Sequence, residues 1–600
     1  MKNCCYTICA VAGWFVVAQQ FAPDSSAQPL PEAQVQLSSP GIDLIWGFKI
    51  PMRDGIRLNG TVIKPSGQKG SLPVIFTLTP YISDGYQDRA SYFARHGYVF
   101  VAVDVRGRGN SEGVFEPFEQ EPRDGHDIVE FLARQPWCNG KVAMWGGSYA
   151  GFDQWATLKE LPPHLATVVP VAAAHPGADS RGIQESYNIQ WLTLTSGRTP
   201  NDSLFGENAF WTQKFRQMYL AQRPFNTLDQ IVGNTTTVFQ KWLSHPAYDG
   251  YWQAVSPTSE QYKEMNVPVL SITGAYDVGQ TGAMFYYREH MKYGDPDTKA
   301  KHYLIIGPWD HAGTRTPKKE VGGLTFSDPS LLDMNDLHRR WYDWTLKNGA
   351  KPEFLKKRVA YYVMGPGAEH WKYADDLDAI ATEHLKLYLT SQSGEANDVF
   401  NSGQMLEQPP SDAPDKFVYD PTDLRPGELQ KESWDYSKYL TDERYALNLF
   451  GNGVVYHSAP FKEATEISGN VKLTAWMAMD VPDTDFVVTL YEILPDGTSV
   501  QLSKDSRRAR YRESLSVARL VTPGQITRYS FDGFTWFSRR VSKGSRLRLV
   551  LSCINSIYYE KNYNSGGIVE RESGRDARVA HVIVYHDAGH PSALAIPVVK

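Results

Sequence analysis

Lys141-Val142-Ala143-Met144-Trp145 is a strand-forming run that passes directly into Gly146-Gly147-Ser148-Tyr149-Ala150-Gly151-Phe152. Glycine ahead of the serine lets the backbone turn sharply, and small residues after it let a helix begin beside the strand it follows. The stretch reads as strand, tight turn and helix, with the Ser148 hydroxyl held at the tip as in a nucleophile elbow. The generic spacing G-x-S-x-G is broken at Ala150, with glycine one position later at Gly151. The plain alternative for Ser148 is a helix N-cap, the ordinary task of a serine that follows glycines.

The rest of the chain supplies strands that such a turn needs as neighbours. Residues 47–64 read as an antiparallel ribbon around Asp54-Gly55. Apolar runs at 73–79, 98–103 and 141–145 alternate with helical patterns at 88–96 and 124–135, which predicts a mostly parallel sheet covered on both faces. The alternation stops over 175–262, where helices rich in aromatics (Trp191, Phe210, Trp211, Phe215, Tyr219, Trp242, Tyr251, Trp252) form an inserted cap. Phe210, Trp211, Phe215, Met218 and Tyr219 share one helix face. It resumes at Val267-Pro268-Val269-Leu270-Ser271-Ile272-Thr273-Gly274 and at His302-Tyr303-Leu304-Ile305-Ile306-Gly307. A helix near 337–348 follows. Residues 392–435, rich in Gly, Ser, Pro and Asp, read as long loops, and short alternating runs from about 445 to 600 read as an all-β jelly-roll sandwich.

A chain of 600 residues with 42% apolar content is large enough for more than one core. The expected division is a signal peptide at 1–27, an α/β-hydrolase domain at 41–174 and 263–375 interrupted by the cap at 175–262, and a β domain at 376–600. Net charge is −6 and no basic block is present, so neither nucleic acid nor anionic lipid is indicated as a partner. Lys2 ahead of the apolar run 8–18, with small residues Ser25-Ser26-Ala27 beyond, reads as an export leader too short for a membrane span. The expected destination is the periplasm or the outside of the cell. Of the five cysteines, Cys4, Cys5 and Cys9 fall in that leader. Cys138 and Cys553 read as free buried thiols, and no zinc-ligand spacing occurs, so no metal or cofactor is implied. The glycines of 104–113 do not match a dinucleotide fingerprint, and that segment reads as a structural loop.

A serine attacks only when a base takes its proton, and the base needs a carboxylate to fix its tautomer. Ser148, Asp277 and His311 supply these groups in the order Ser, Asp, His, each just beyond the end of an expected strand, where open α/β sheets keep their sites. Asp104 precedes the serine and Asp310 adjoins the histidine, so both fit the acid's place less well than Asp277. His96, His126, His164, His175, His290 and His302 read as surface, capping or core residues. For the oxyanion, the Tyr149 backbone N–H is the natural first donor. The Tyr81 hydroxyl, after the 73–79 strand, is a candidate second donor whose plain alternative is a rim aromatic.

Thr79-Pro80-Tyr81, the 104–113 segment, Gln135-Pro136-Trp137, the elbow with its S-Y-x-G form, Gly307-Pro308-Trp309-Asp310-His311, Pro482-Asp483-Thr484-Asp485-Phe486 and Arg508-Ala509-Arg510-Tyr511-Arg512 together resemble the X-Pro dipeptidyl-peptidase and cocaine-esterase family of serine hydrolases. That family includes α-amino acid ester hydrolases and glutaryl-cephalosporin acylases. The resemblance runs over most of the chain beyond the leader. It implies an α/β-hydrolase domain, an inserted helical cap and a C-terminal jelly roll, with Ser148 as nucleophile, His311 as base, Asp277 as its partner, and Tyr81 hydroxyl with Tyr149 N–H as the oxyanion hole. Members acting on α-amino esters carry acidic residues just after the triad aspartate, where this chain has Gly279 and Gln280. X-Pro dipeptidases carry a larger N-terminal helical domain than the residues ahead of the hydrolase core could form. The expectation is therefore an exported serine hydrolase of small-molecule carboxylic esters or activated amides. The alternatives are an amino-ester hydrolase or β-lactam acylase, with Asp179 as the nearest carboxylate for an ammonium, or an X-Pro peptidase. A different class would be a carbohydrate- or surface-binding protein with an inactive hydrolase domain. A homo-oligomer is left open.

Overall fold

The computed structural model describes residues 35–39, 41–392, 395–410, 412–432 and 437–600. The leader expected at 1–27 lies outside the described residues. The first nine strands are β1 Val35–Ser39, β2 Ile42–Pro51, β3 Arg57–Pro65, β4 Leu72–Thr79, β5 Val99–Asp104, β6 Cys138–Gly147, β7 Leu165–Val171, β8 Val269–Tyr276 and β9 His302–Asp310. With Val359–Val363 and His370–Ala374 they make an 11-stranded sheet in the order β1-β2-β3-β5-β4-β6-β7-β8-β9, then those two. Pairing is parallel from β5 through β4, β6, β7, β8 and β9 to Val359–Val363. It is antiparallel at both edges.

Every residue of β5 and of β8 is buried, because helices cover both faces. This is why these strands read as continuous apolar runs rather than alternating ones. Successive side chains nonetheless divide between two cores. Val74, Phe76, Val142 and Met144 pack with Ile128, Val129 and Leu132 of one helix and with Trp155 and Leu158 of another. Ile75, Ala143 and Trp145 face the opposite way, against Phe93, Trp341 and Tyr342. The helices concerned are α1 Gln87–Arg95, α2 Glu121–Ala133, α3 Tyr149–Lys159 and the later Met334–Lys347.

Between β7 and β8 the chain leaves the sheet and forms short helices from Pro176–Asp179 to Ser259–Glu264. Trp191, Trp211, Phe215, Met218, Tyr219, Trp242 and Trp252 are buried together there, while Phe210 packs on the cluster's edge. These helices make an aromatic-rich segment inserted between the two strands. Its Gln184 exchanges bonds with Glu560 of the β domain: Glu560 N–H donates to Gln184 C=O at 2.9 Å, and Gln184 N–H donates to the Glu560 carboxylate at 3.0 Å.

The C-terminal part is β-rich: its described residues form 13 strands in one hydrogen-bonded network, with a large core and a smaller cluster of Ala446, Val455, Tyr491, Ile493 and Val550. The stretch 392–435 is not loop throughout. Gly403–Leu406 and Asp415–Tyr419 are short strands whose residues alternate buried and exposed, a pattern too brief to stand out among Gly, Ser and Pro. Cys138 and Cys553 are buried and free. Among the described residues no helix is long and apolar enough to cross a membrane, and no group of ligating side chains is arranged to hold a metal ion.

Candidate active site

The elbow forms because the strand and the helix touch where their residues are smallest. A Cβ on Gly146 would come within 2.5 Å of the Ala150 Cβ, and one on Gly151 within 2.7 Å of the Val171 carbonyl oxygen. Gly151 is therefore the glycine that the close approach of α3 to β7 requires, and Ala150 fits one position earlier. Ser148 sits between them at φ 63° and ψ −119°, in a region that side chains rarely occupy, and its side chain makes no N-cap bond. Ser148 thus starts α3 without capping it, and the backbone is anchored by its N–H donating to Val171 C=O at 2.9 Å.

Asp277 and His311 come from the ends of neighbouring parallel strands, β8 and β9, and meet: His311 Nδ1 lies 2.7 Å from Asp277 Oδ1. A carboxylate only accepts, so Nδ1 carries the proton and Nε2 is the ring's free basic atom. Asp277 Oδ1 also accepts from Gly279 N–H and Oδ2 from the Thr273 hydroxyl, both at 2.8 Å. Burial pushes this carboxyl's pKa up, but the adjacent His311 and these bonds outweigh it and hold the group below the usual carboxylate range. It is therefore an anion fixed against the imidazole. Asp104 and Asp310 are employed elsewhere. Asp104 accepts from Ser83 N–H at 2.7 Å, with burial raising it to about 6, and Asp310 accepts from Gly313 N–H at 2.7 Å. The other histidines are engaged too, His175 with Ser256 and His290 with His302 in buried pairs.

Tyr81 and Tyr149 flank the serine. Burial raises the pKa of the Tyr81 phenol, and the Trp191 bond, nearby Arg315 and the neighbouring Ser148 hydroxyl oppose the rise. This phenol is a neutral hydroxyl. Trp191 Nε1–H donates to the Tyr81 oxygen at 2.9 Å. Tyr149 opens α3, so its N–H lies in the unbonded first turn, where helix N–H groups face outward. Its own phenol is tied down, donating to Glu121 Oε1 and accepting from Phe118 N–H at 2.9 Å.

Three neighbours were not singled out by sequence. Thr273 is a polar residue inside an apolar strand, a signal that could have been used. Arg315 packs its Cδ against Gly147, where an added Cβ would approach it within 2.6 Å, and nothing in its local sequence marks it. The Trp191 bond joins residues far apart in the chain.

The fold and the site geometry define a hydrolase with an α/β-hydrolase core and an appended β domain. Residues 54–313 match the model for the X-Pro dipeptidyl-peptidase (S15 family), and residues 353–595 match the X-Pro dipeptidyl-peptidase C-terminal non-catalytic domain. The chain belongs to this family, whose members are serine hydrolases. Cocaine esterase of Rhodococcus sp. (strain MB1 Bresler) is 26% identical over 594 residues, covering 92% of this chain and 98% of that protein. Among solved structures, an α-amino acid ester hydrolase is 22% identical with a TM-score of 0.79, covering 96% of this chain and 99% of that one. An aminopeptidase from a marine sediment Thaumarchaeota archaeon is 23% identical with a TM-score of 0.75, covering 96% and 100%. These two likenesses speak to the fold. The activity is of esterase or peptidase type.

Proposed function

We propose that the protein is an exported serine hydrolase that cleaves carboxylic esters, and activated amides, through an acyl-Ser148 intermediate. The observations that carry this reading are the buried Asp277 carboxylate held 2.7 Å from His311 Nδ1 and an elbow serine at positive φ that does no capping. His311 Nε2 takes the Ser148 proton as Oγ attacks the carbonyl carbon. The tetrahedral oxyanion accepts from the Tyr149 N–H and the Tyr81 O–H. Collapse breaks the bond to the leaving alkoxide, which receives the proton from His311. Water then repeats the attack on the acyl-enzyme, with His311 again as base, releasing the acid and restoring Ser148. Asp277 stabilises the imidazolium in both halves. The similarity to a cocaine esterase over nearly the full length of both chains favours ester over peptide substrates.

The test is reaction with a fluorophosphonate, mass mapping of the adduct and a screen of short aryl esters against aminoacyl esters. An adduct on Ser148 with turnover of simple acyl esters is expected. Ser148→Ala should lower turnover by about a million-fold while leaving the fold intact. Near-normal activity in that variant would end the proposal. Export is supported by the charged start and apolar run ahead of Ser25-Ser26-Ala27. N-terminal sequencing of secreted protein, expected to begin beyond that run, tests it.

One observation favours α-aminoacyl esters as a second reading. Asp179, in the first turn of the cap, accepts from His175 N–H at 2.8 Å through Oδ2, while its buried Oδ1 has no partner. Burial holds this carboxyl well above the usual carboxylate range, and Asp277 and Glu185 push it the same way, so a substrate ammonium at its open oxygen would supply the charge that keeps it ionised. Faster turnover of aminoacyl than of acyl esters, lost in Asp179→Asn, would establish this reading.

A further inference from the structure

We propose that Trp191 is a positioning residue that completes the oxyanion hole from the cap by fixing which way the Tyr81 hydroxyl points. The inference rests on the acyl-serine reading above. It starts from a count of protons. An indole Nε1–H can only donate, whereas a phenol has one proton to give and an oxygen that accepts. With Trp191 Nε1 at 2.9 Å, the Tyr81 oxygen is the acceptor in that bond. Its single proton must therefore go to another partner. Among the described residues no other acceptor takes it, so with the Trp191 bond in place the proton is left for the oxyanion that would form at Ser148, one of the groups that act on this phenol. Without the indole, the same hydroxyl could rotate its proton away and offer the oxyanion a lone pair instead.

The indole is itself held. Trp191 is buried and lies nearly parallel to Tyr149 at 5.5 Å and 15°, to Trp242 at 6.1 Å and 24°, and to Phe118 at 6.0 Å and 27°. Tyr149 in turn cannot swing, because Glu121 and Phe118 bind its hydroxyl. The residue whose backbone N–H is one proposed donor thus stacks on the residue that aims the other. Tyr81 is fixed from its own side as well, by its N–H donating to Thr79 Oγ1 at 3.0 Å. Because Trp191 belongs to the cap helix Tyr187–Leu194, the hydrolase core's oxyanion hole is complete only with the cap seated.

A purely packing role for Trp191 predicts different behaviour, and the two are separable. Trp191→Phe keeps a ring and removes the donor. Replacing the indole with the isosteric benzothiophene exchanges only the N–H for sulfur and leaves packing in place. For both, kcat on an aryl ester should fall about tenfold, the scale of one lost hydrogen bond, with KM changed less than about twofold. The rate of Ser148 phosphonylation by the fluorophosphonate should fall in parallel. In a Tyr81→Phe background, Trp191→Phe should have no further effect, since it acts through the hydroxyl. Unchanged kcat and phosphonylation in the benzothiophene protein would overturn the proposal, as would an undiminished Trp191→Phe effect in the Tyr81→Phe background. The phosphonylation rate needs no substrate. A wild type that labels at Ser148 but cleaves no ester would therefore refute the ester reading while still deciding this one.

Discussion

Gln280 grips the backbone of Trp536 from both sides: its Oε1 accepts from Trp536 N–H at 2.6 Å, and its Nε2 donates to Trp536 C=O at 2.8 Å. The same Nε2 donates to Gly274 C=O at the end of β8, also at 2.8 Å. This side chain joins the strand that carries Asp277 to the β domain and has nothing left for a substrate. The position that follows Asp277 by three residues is therefore structural in this chain.

Gln280→Glu consequently should not create a preference for aminoacyl esters. It would turn a carboxylate toward two carbonyl oxygens that lose their donor, at a cost of about 3 kcal/mol or more. The expected result is a lowered denaturant midpoint with an unchanged ratio of aminoacyl to acyl ester kcat/KM. A rise in that ratio would show that residue 280 faces the substrate.

Asp277→Asn tests the carboxylate that His311 leans on. With the amide oxygen in the Oδ2 position Thr273 keeps its acceptor and only the Gly279 N–H loses one, so the fold should persist. The amide N–H₂ facing Nδ1 would favour the tautomer that puts the ring proton on Nε2, where a base is needed. Turnover should fall by about ten-thousandfold with little change in melting temperature. A loss below tenfold would remove Asp277 from the proposed mechanism.

What could be read in advance and what could not separates along physical lines. The central strands carry long apolar runs because both faces are covered, as in β5 and β8 where every residue is buried, and the elbow needs Gly146 and Gly151 for close contact, so both leave marks in local sequence. The contact of His311 with Asp277 rather than Asp104 or Asp310 is favoured in sequence by chain order and position after a strand. The strands at Gly403–Leu406 and Asp415–Tyr419 were not legible, since their alternation runs for only four and five residues. Nor was the Trp191 to Tyr81 bond, which joins residues 110 positions apart. An indole in an aromatic-rich helix looks like core, and only the fold discloses which atom its N–H meets.

Glu121 makes stability depend on pH. Burial raises its carboxyl to about 7 despite the bond from Tyr149. Beside it Asp153, also buried, lies well above its ordinary range, pushed by burial and by Glu121, so the proton belongs to the pair. The folded protein holds a proton that the unfolded chain releases near the ordinary value of 4.5. The resulting stability is fully present below that value and is lost as pH rises through about 7. Glu121→Gln, which can still accept from Tyr149, removes the Glu121 share of this dependence and leaves that of buried Asp153. Its stability relative to wild type should therefore increase by up to roughly 3 kcal/mol between about pH 4 and about pH 8. Parallel stability curves over that range would count against it.

Arg508 is buried in the β domain with two carboxylates of its own: it binds Asp485 through two bonds of 2.8 Å and Glu560 at 2.7 Å. Removing the cation strands both acids away from water, with Asn562 alone left as a donor to Asp485, at 3.0 Å. Arg508→Met should therefore cost about 3–5 kcal/mol, read as a lower denaturant midpoint. The loss comes from the unpaired charges more than from the missing side chain, so a second change, Glu560→Gln, should recover part of it in the Arg508→Met background although it weakens wild type. Glu560 also holds Gln184, and the cap segment that leads from Asp179 to Trp191 passes through this contact. Additive losses in the double variant would mean that the two residues do not share one ionic network.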